Sequence, residues 1–212
     1  MWVVKIGGSL LGSPELARWL ELIVKFSDGK VIIVPGGGLF ADAVRDAQTQ
    51  SNLSDHTAHK LAVLAMDQFG LLLAGLNPGL ATASSELEIA ERTWQHRGIV
   101  WLPSQMVLAD DTIPQNWDVT SDSLSAWLAN KIGAEQLVLV KSRQLPPTKP
   151  GTTMPLQKLV EEDLIDRQFI EFATGQNYKI WALNKADCHL FENGLSLQNL
   201  EEKGLHINIT LH

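Results

Sequence analysis

The sequence predicts an α/β fold in which two layers of helices cover a central, mostly parallel sheet (α/β/α). Short apolar runs rich in β-branched residues alternate with longer segments of helical period, and this alternation is typical of parallel sheets covered by helices. The 212 residues are 45% hydrophobic and 19% charged, which suffices for one large core or two small ones. Because the chain has no internal repeat and no flexible linker, we predict a single domain over residues 1–212.

Six apolar runs have the length and the composition of β-strands. They are residues 3–6, 30–34, 99–102, 136–140, 179–183 and 206–211. The fourth run has no polar alternation, so we expect a buried strand near the middle of the sheet.

Helices are predicted between these strands from apolar residues spaced three and four apart. Ser13 can cap the first helix, with Pro14 at its first position, and Ser54 opens a longer one. Another helix begins near residues 120–122, and a last one covers about 160–173. The side chains expected to face the core are Leu16, Trp19, Leu20, Ile23, Phe40, Ala43, Val44, Ala47, Leu61, Leu64, Ala65, Leu72, Leu124, Trp127, Leu128 and Ile132.

A proline cluster follows the fourth strand. Four prolines within ten residues fit neither a helix interior nor a central strand, so we expect a loop that crosses the surface. The four are Pro146, Pro147, Pro150 and Pro155.

The charge balance argues against polyanionic partners. Seventeen Lys and Arg oppose 24 Asp and Glu, so no overall positive field attracts nucleic acid or an anionic membrane. The most apolar stretch, 69–83, falls short of the roughly 20 apolar residues that a membrane span needs. The first residues do not resemble a secretion signal, so we expect none, and the single Cys188 cannot form an intramolecular disulfide. We therefore expect a cytoplasmic protein without nucleic-acid or membrane partners.

The first candidate site is the turn after the strand over 3–6. Lys5 lies near the strand end, and Gly7, Gly8 and Ser9 follow it. Glycines let backbone N–H groups approach phosphate oxygens closely, and the lysine adds a mobile cation. The segment matches neither a Walker A sequence nor G-x-G-x-x-G, and a glycine turn beside a surface lysine explains it equally well.

A second glycine turn, Gly36, Gly37 and Gly38, follows the second strand. Three consecutive glycines are costly in chain entropy, and the close approach of a ligand would account for them. Ligands of open α/β sheets bind beyond the carboxyl ends of the strands, where this turn is expected to lie. A strained turn without a ligand is the alternative.

Two further segments place polar residues near the same edge of the sheet. Ser121 and Asp122 begin a helix, although any helix N-terminus favours such residues. Lys141, Ser142 and Arg143 follow the strand that should be central, although a solvated strand end explains them equally well.

The order and spacing of these four elements resemble the amino acid kinase superfamily, which includes aspartate, acetylglutamate, carbamate, uridylate and isopentenyl phosphate kinases. The resemblance runs from residues 5–9 through 35–38 and 120–122 to 192–194. It implies the amino acid kinase fold.

Segments 53–59, 65–70 and 117–122 look most like the small kinases of methanofuran biosynthesis, which convert an aminomethylfuran-methyl phosphate to its diphosphate. The resemblance implies ATP and Mg²⁺ as donor and a small-molecule phosphate as acceptor. It further implies an acceptor-binding lobe over about 1–115, a nucleotide-binding lobe over about 116–212, and a homo-oligomer.

The resemblance also implies roles for the candidate residues. Lys5 would bridge the oxygens of the transferring phosphate, Lys141 would be the second catalytic cation, and Asp122 would hold both lysines. Cofactor-binding residues would be Gly7, Gly8, Ser9, Lys141 and Ser142. Substrate-binding residues would be Gly36, Gly37, Gly38, Asp67 and Ser121. No protein side chain is assigned to a metal. Because phosphoryl transfer has a loose transition state, the placement of cations supplies most of the catalysis.

Three alternatives stay open at the level of the sequence. Many relatives have Thr-Asp-x-x-Gly where this chain has Lys141, Ser142 and Arg143, so a non-catalytic ligand-binding or regulatory member of the fold is one alternative. A kinase for a carboxylate or carbamate acceptor is the second. The third concerns His56 and His59, whose spacing is compatible with a metal site but is equally explained by a helix surface or an acceptor pocket.

Overall fold

A computed structural model describes residues 1–146 and 153–209. Its strands are β1 (Trp2–Ile6), β2 (Val31–Pro35), β3 (Leu80–Ala83), β4 (Gly98–Trp101), β5 (Gln136–Lys141), β6 (Thr153–Pro155), β7 (Lys179–Asn184) and β8 (Leu205–Asn208). Its helices are α1 (Pro14–Phe26), α2 (Gly38–Ser51), α3 (Asp55–Leu76), α4 (Glu86–Trp94), α5 (Ser104–Val107), α6 (Ser121–Lys131), α7 (Leu156–Glu161), α8 (Phe169–Ala173) and α9 (Leu197–Lys203). Two 3-10 segments cover Gly8–Leu10 and Lys185–Phe191.

The described strands form a single sheet in the order β3-β4-β2-β1-β5-β7-β8-β6. All neighbouring pairs are parallel except β7 and β8, which are antiparallel. Lys5 of β1 is in register with Val34 of β2 and Leu139 of β5. The carboxyl ends of these three strands therefore meet at one edge of the sheet, as the parallel fold predicts.

Two apolar cores lie on opposite faces of the sheet. Val3 of β1 belongs to the core that contains Leu124 and Leu128 of α6, whereas Val4 belongs to the core that contains Trp19 of α1. Successive side chains of a strand point to opposite faces, so strands buried on both sides are apolar throughout. The three-layer α/β/α architecture is thereby confirmed.

Two edge strands were not predicted. β3 is the short segment Leu-Ala-Thr-Ala, which has only one β-branched residue and so gives little strand signal. β6 ends at Pro155 inside the predicted proline loop, and the expectation of a loop is wrong for Thr153–Pro155. As an edge strand β6 tolerates a proline, because its outer side needs no N–H donor. The loop expected at Pro147 and Pro150 lies outside the described residues, as do residues 210 and 211 of the last predicted strand.

The helix predicted over 160–173 is wrong, because the chain forms two short helices, α7 and α8, with a turn between them. Asp163 in that turn has a φ of +51°, a conformation that ends a helix. In α2 the residues Ala43 and Ala47, expected in the core, are exposed, and Ala41 is the buried residue.

α3 is the one helix in the described part of the chain whose length and apolar composition would suffice to cross a bilayer. The core helix of a folded domain passes the same test. Its buried face includes Val63 and Met66, which belong to the core that contains Leu124. Phe69, on the same helix, belongs to the core that contains Trp19.

Candidate active site

The two glycine turns pack directly against each other. A Cβ on Gly8 would lie 2.1 Å from the Cα of Gly38, and a Cβ on Gly36 would lie 2.6 Å from the backbone nitrogen of Gly8. Gly38 has a φ of +54°, a conformation that favours glycine. The close packing of the two turns, together with the φ of Gly38, therefore accounts for glycine at these three positions.

Gly37 differs from its neighbours. Its φ is −81°, which any residue adopts, but a Cβ there would lie 2.4 Å from the Cβ of Ala41 in the first turn of α2. Replacement by alanine would therefore disturb α2 whether or not a ligand binds nearby.

Two lysines and one aspartate form a buried ionic cluster, here called the lysine triad. The Nζ of Lys5 lies 3.0 Å from Oδ1 of Asp122, and the Nζ of Lys141 lies 2.5 Å from Oδ2. The lysines come from the carboxyl ends of β1 and β5, and the aspartate from the first turn of α6. The triad carries two positive charges and one negative charge, so its excess positive charge suits an anionic ligand.

Burial and the lysines act against each other on the carboxyl group of Asp122. Burial favours the neutral acid, but the charges of Lys141 and Lys5 outweigh it and lower the pKa of Asp122 to about 2. Burial also lowers the pKa of Lys141, and Asp122 opposes that shift only in part. At neutral pH the aspartate is thus an anion that fixes both ammonium groups.

Asp166 was not predicted, yet it holds the helix start that carries Asp122. Its Oδ2 accepts hydrogen bonds from the backbone N–H of Thr120 at 3.2 Å and of Ser123 at 3.0 Å, and its Oδ1 accepts from the backbone N–H of Phe169 at 2.8 Å. The hydroxyl groups of Thr120 and Ser123 also donate to it. Burial and the nearby charge of Asp122 raise the pKa of Asp166. Asp166 therefore positions the N-terminus of α6, whose positive dipole end faces the site.

The triad opens into a cleft of about 320 Å³, here called the lysine cleft. The predicted residues that line it are Lys5, Gly7, Ser9, Asp122, Lys141 and Ser142. The hydroxyl oxygens of Ser9 and Ser142 lie 2.8 Å apart and join the turn after β1 to the end of β5. The backbone of Gly7, the two hydroxyl groups and the two ammonium groups together suit the oxygens of a polyphosphate.

Two further cavities adjoin the lysine cleft. The first, here called the β5–β7 cavity, has a volume of about 390 Å³ and shares Ser142 with the cleft. The second, here called the His59 cavity, has a volume of about 80 Å³ and shares Thr120 with the cleft. Gly37 and Ser121, two of the predicted substrate-binding residues, line the His59 cavity. The lysine cleft thus shares one lining residue with each of these two cavities.

Some predicted site residues have structural contacts instead. Asp67 lines none of these three cavities, and its Oδ1 accepts a hydrogen bond from the backbone N–H of Ser104 at 3.1 Å, at the start of α5. Gly8, Gly36 and Gly38 support the junction of the two turns. The structure thus brings together Lys5, Asp122 and Lys141, whereas Asp67 stays apart because α3 directs it toward α5.

Comparison with known proteins gives a family match. The model of the amino acid kinase family matches residues 1–144. A [5-(aminomethyl)furan-3-yl]methyl phosphate kinase from Methanocaldococcus jannaschii is 34% identical over 141 residues, which are 66% of this chain and 64% of that protein. The match thus spans a little less than two thirds of the relative's length.

Solved structures share the fold over nearly the whole chain. A uridylate kinase from Archaeoglobus fulgidus superposes with a TM-score of 0.70 at 18% identity, covering 98% of this chain and 99% of that one. A UMP kinase from Ureaplasma parvum gives a TM-score of 0.68 at 15% identity, with 98% of each chain covered. A UMP kinase from Bacillus anthracis gives 0.70 at 14% identity, covering 99% and 96%.

Proposed function

The chain belongs to the amino acid kinase family, and we propose that it is a phosphotransferase that moves the γ-phosphoryl group of ATP to a phosphate acceptor. The observation that carries the proposal is the lysine triad at the carboxyl ends of β1 and β5. A buried site with excess positive charge, beside a helix N-terminus and a glycine turn, suits the transfer of a phosphoryl group between two anions.

The triad accounts for catalysis without a nucleophile of the protein's own. Phosphoryl transfer has a loose transition state whose charge lies on the peripheral oxygens, so fixed cations stabilise it. Lys5 and Lys141 are held on the two oxygens of Asp122 and present their remaining N–H donors to the cleft. A phosphate acceptor is already ionised at neutral pH, so the site needs no strong base to remove a proton.

The residues around the cleft fit ATP. The β5–β7 cavity has room for the nucleoside of ATP. Ser142 lines both this cavity and the lysine cleft, so the phosphates of that nucleotide would lie near Lys5 and Lys141. Mg²⁺ commonly binds through phosphate oxygens and waters with one or two carboxylates. Within residues 1–146 and 153–209, no group of three or more His, Cys, Asp or Glu side chains is arranged to hold an ion, so the nucleotide's own phosphates would supply most of its ligands. When bound, Mg²⁺ neutralises charge on those phosphates.

For the acceptor we propose [5-(aminomethyl)furan-3-yl]methyl phosphate or a close analogue, with a diphosphate as product. The proposal follows the activity for which the 34% identical relative is named. It is supported by the small, mostly apolar His59 cavity, which opens beside the lysine cleft at Thr120. A phosphate would face the triad while the ring enters the cavity.

The test is ATP turnover against a panel of acceptors: the furan phosphate, UMP, a carboxylate and a carbamate. We expect turnover with the furan phosphate, with one ADP formed for each molecule of diphosphate product. Turnover with the carboxylate or the carbamate alone would show that the acceptor is not a phosphate ester. ATP binding without turnover of any acceptor would favour the non-catalytic alternative.

We also propose that the chain forms a homo-oligomer. α3 exposes several leucines, with 43% of Leu64, 55% of Leu71 and 57% of Leu76 accessible. Exposed apolar patches commonly mark subunit contacts. Light scattering tests the proposal, because Leu71→Glu should give a monomer if α3 forms the interface.

A further inference from the structure

His59 is a buried residue of α3 to which the proposed transfer chemistry assigns no role. Only 3% of its surface is accessible, and its ring lines the His59 cavity. Its Nδ1 lies 3.0 Å from the backbone oxygen of Asn116. In the described ranges 1–146 and 153–209, its Nε2 has no hydrogen-bond partner.

The Asn116 contact determines what Nε2 can do. A carbonyl oxygen only accepts, so Nδ1 carries the proton and donates it. Burial lowers the pKa of His59, which favours the neutral ring, although the bond to Asn116 acts in the opposite direction. In the neutral ring with Nδ1 protonated, Nε2 is a hydrogen-bond acceptor.

An acceptor left without a partner inside a folded protein is unfavourable, and such atoms commonly find a partner in a ligand or water. The other walls of the cavity are mostly apolar, with Val63, Met66 and Leu124 among them, and Arg45, Thr120 and Ser121 add polar side chains. At about 80 Å³ it is smaller than the roughly 150 Å³ cavity that admits benzene in another protein. A group enclosed by the cavity must therefore be smaller than benzene, and a five-membered ring or a short chain meets this limit.

We propose that Nε2 of His59 accepts a hydrogen bond from an N–H or O–H group on the phosphoryl acceptor, at the end opposite its phosphate. This inference rests on the proposed function, because it places that acceptor between the lysine cleft and the His59 cavity. His59 would then be a specificity residue that selects acceptors with a polar hydrogen on an apolar ring. The amino group of an aminomethyl-substituted ring has this chemistry.

The first experiment measures fragment binding without phosphoryl transfer. Furfurylamine carries the ring and the polar hydrogens, and 2-methylfuran carries the ring alone. We expect the wild-type protein to bind furfurylamine at least about tenfold more tightly, which corresponds to 1.4 kcal/mol. In His59→Phe, which fills similar space without an acceptor, the ratio should fall to about one. His56→Phe, an exposed histidine one turn earlier, is the matched control and should keep the wild-type ratio.

A second measurement does not depend on the folding of a variant. The ¹⁵N resonance of His59 Nε2 in the wild-type protein should move toward that of a hydrogen-bonded nitrogen when furfurylamine is added, and should stay in place with 2-methylfuran. Equal binding of the two fragments, an unchanged ratio in a folded His59→Phe, or an unmoved resonance would overturn the proposal.

A kinetic arm separates this inference from the proposed function. With the aminomethylated furan phosphate and its counterpart lacking the amine, His59→Phe should abolish discrimination in kcat/KM and leave the KM for ATP unchanged. If no phosphate acceptor is turned over by the wild type, the proposed function fails. The fragment result then still decides whether His59 binds a polar hydrogen.

Discussion

Asp122→Asn removes the one negative charge of the lysine triad while keeping its shape. Each carboxylate oxygen of Asp122 faces one lysine, Oδ1 as the ion-pair partner of Lys5 and Oδ2 as the hydrogen-bond acceptor of Lys141. An amide has only one acceptor oxygen, so it would turn its NH₂ group toward one of the two ammonium groups. The two ammonium groups would face each other across a neutral side chain. We expect both stability and turnover to fall.

The magnitude follows from the pKa of Asp122. A value of about 2, against 3.8 for an ordinary aspartic acid, corresponds to about 2 kcal/mol of unfolding free energy. Because the pKa is lowered by folding, this stabilisation is fully present above pH 3.8 and is lost as the pH falls through about 2. Removing one partner of a buried ion pair commonly costs about 3–5 kcal/mol. At pH 7 we therefore expect a loss of about 2–5 kcal/mol.

Denaturant unfolding at pH 7, without ligand, measures this loss. Asp118→Asn, at an exposed position four residues earlier, is the control and should change the free energy by less than about 0.5 kcal/mol. The difference between wild type and Asp122→Asn should shrink as the pH falls from about 4 toward 2. Turnover should fall further than nucleotide affinity, because the triad stabilises the transition state of phosphoryl transfer more than it stabilises bound nucleotide. Unchanged stability at pH 7, or equal losses in kcat and affinity, would refute the reasoning.

The remaining predictions concern the glycine turn and the lysines. Gly7 has extended backbone angles, and a Cβ there would lie 3.4 Å from the Nζ of Lys5. Gly7→Ala should therefore fold normally. In a titration it should bind nucleotide at least about tenfold more weakly, a loss of 1.4 kcal/mol. Gly8→Ala should instead destabilise the fold by about 3 kcal/mol in denaturant unfolding, and normal stability would contradict the packing argument. Lys5→Met should lower kcat at least about 100-fold with little change in melting temperature, since Asp122 keeps its other lysine; more than a tenth of wild-type turnover would exclude the proposed role. Burial lowers the pKa of Lys141, so kcat should decline as the pH rises, at a pH below the usual pKa of an exposed lysine. In a pH–rate profile, an active Lys141→Arg variant should show this decline at a higher pH.

Asp166 extends the candidate site beyond the residues that contact a ligand. Its carboxylate accepts from both the backbone and the hydroxyl of Thr120 and Ser123, which flank the first turn of α6. The position of Asp122 therefore depends on a turn between α7 and α8. The local contact of Asp166, with the N–H of Phe169, indicates only a residue that caps α8. Its partners in α6 lie 43 and 46 residues earlier in the chain, so no local pattern reveals them.

The resemblance to the amino acid kinase superfamily implied the roles of Lys5, Asp122 and Lys141, and the sequence by itself determined the α/β class and the central strands. These follow from local patterns, since apolar runs make the strands and parallel strands bring their carboxyl ends to one edge. The tertiary structure alone decided that Gly8 touches Gly38, that Asp67 accepts a hydrogen bond from the start of α5, and that β3 and β6 complete the sheet edges. It also decided the surroundings of His59, whose Nδ1 partner is 57 residues away. Such contacts join residues far apart in the chain, so no spacing or composition of a single segment specifies them.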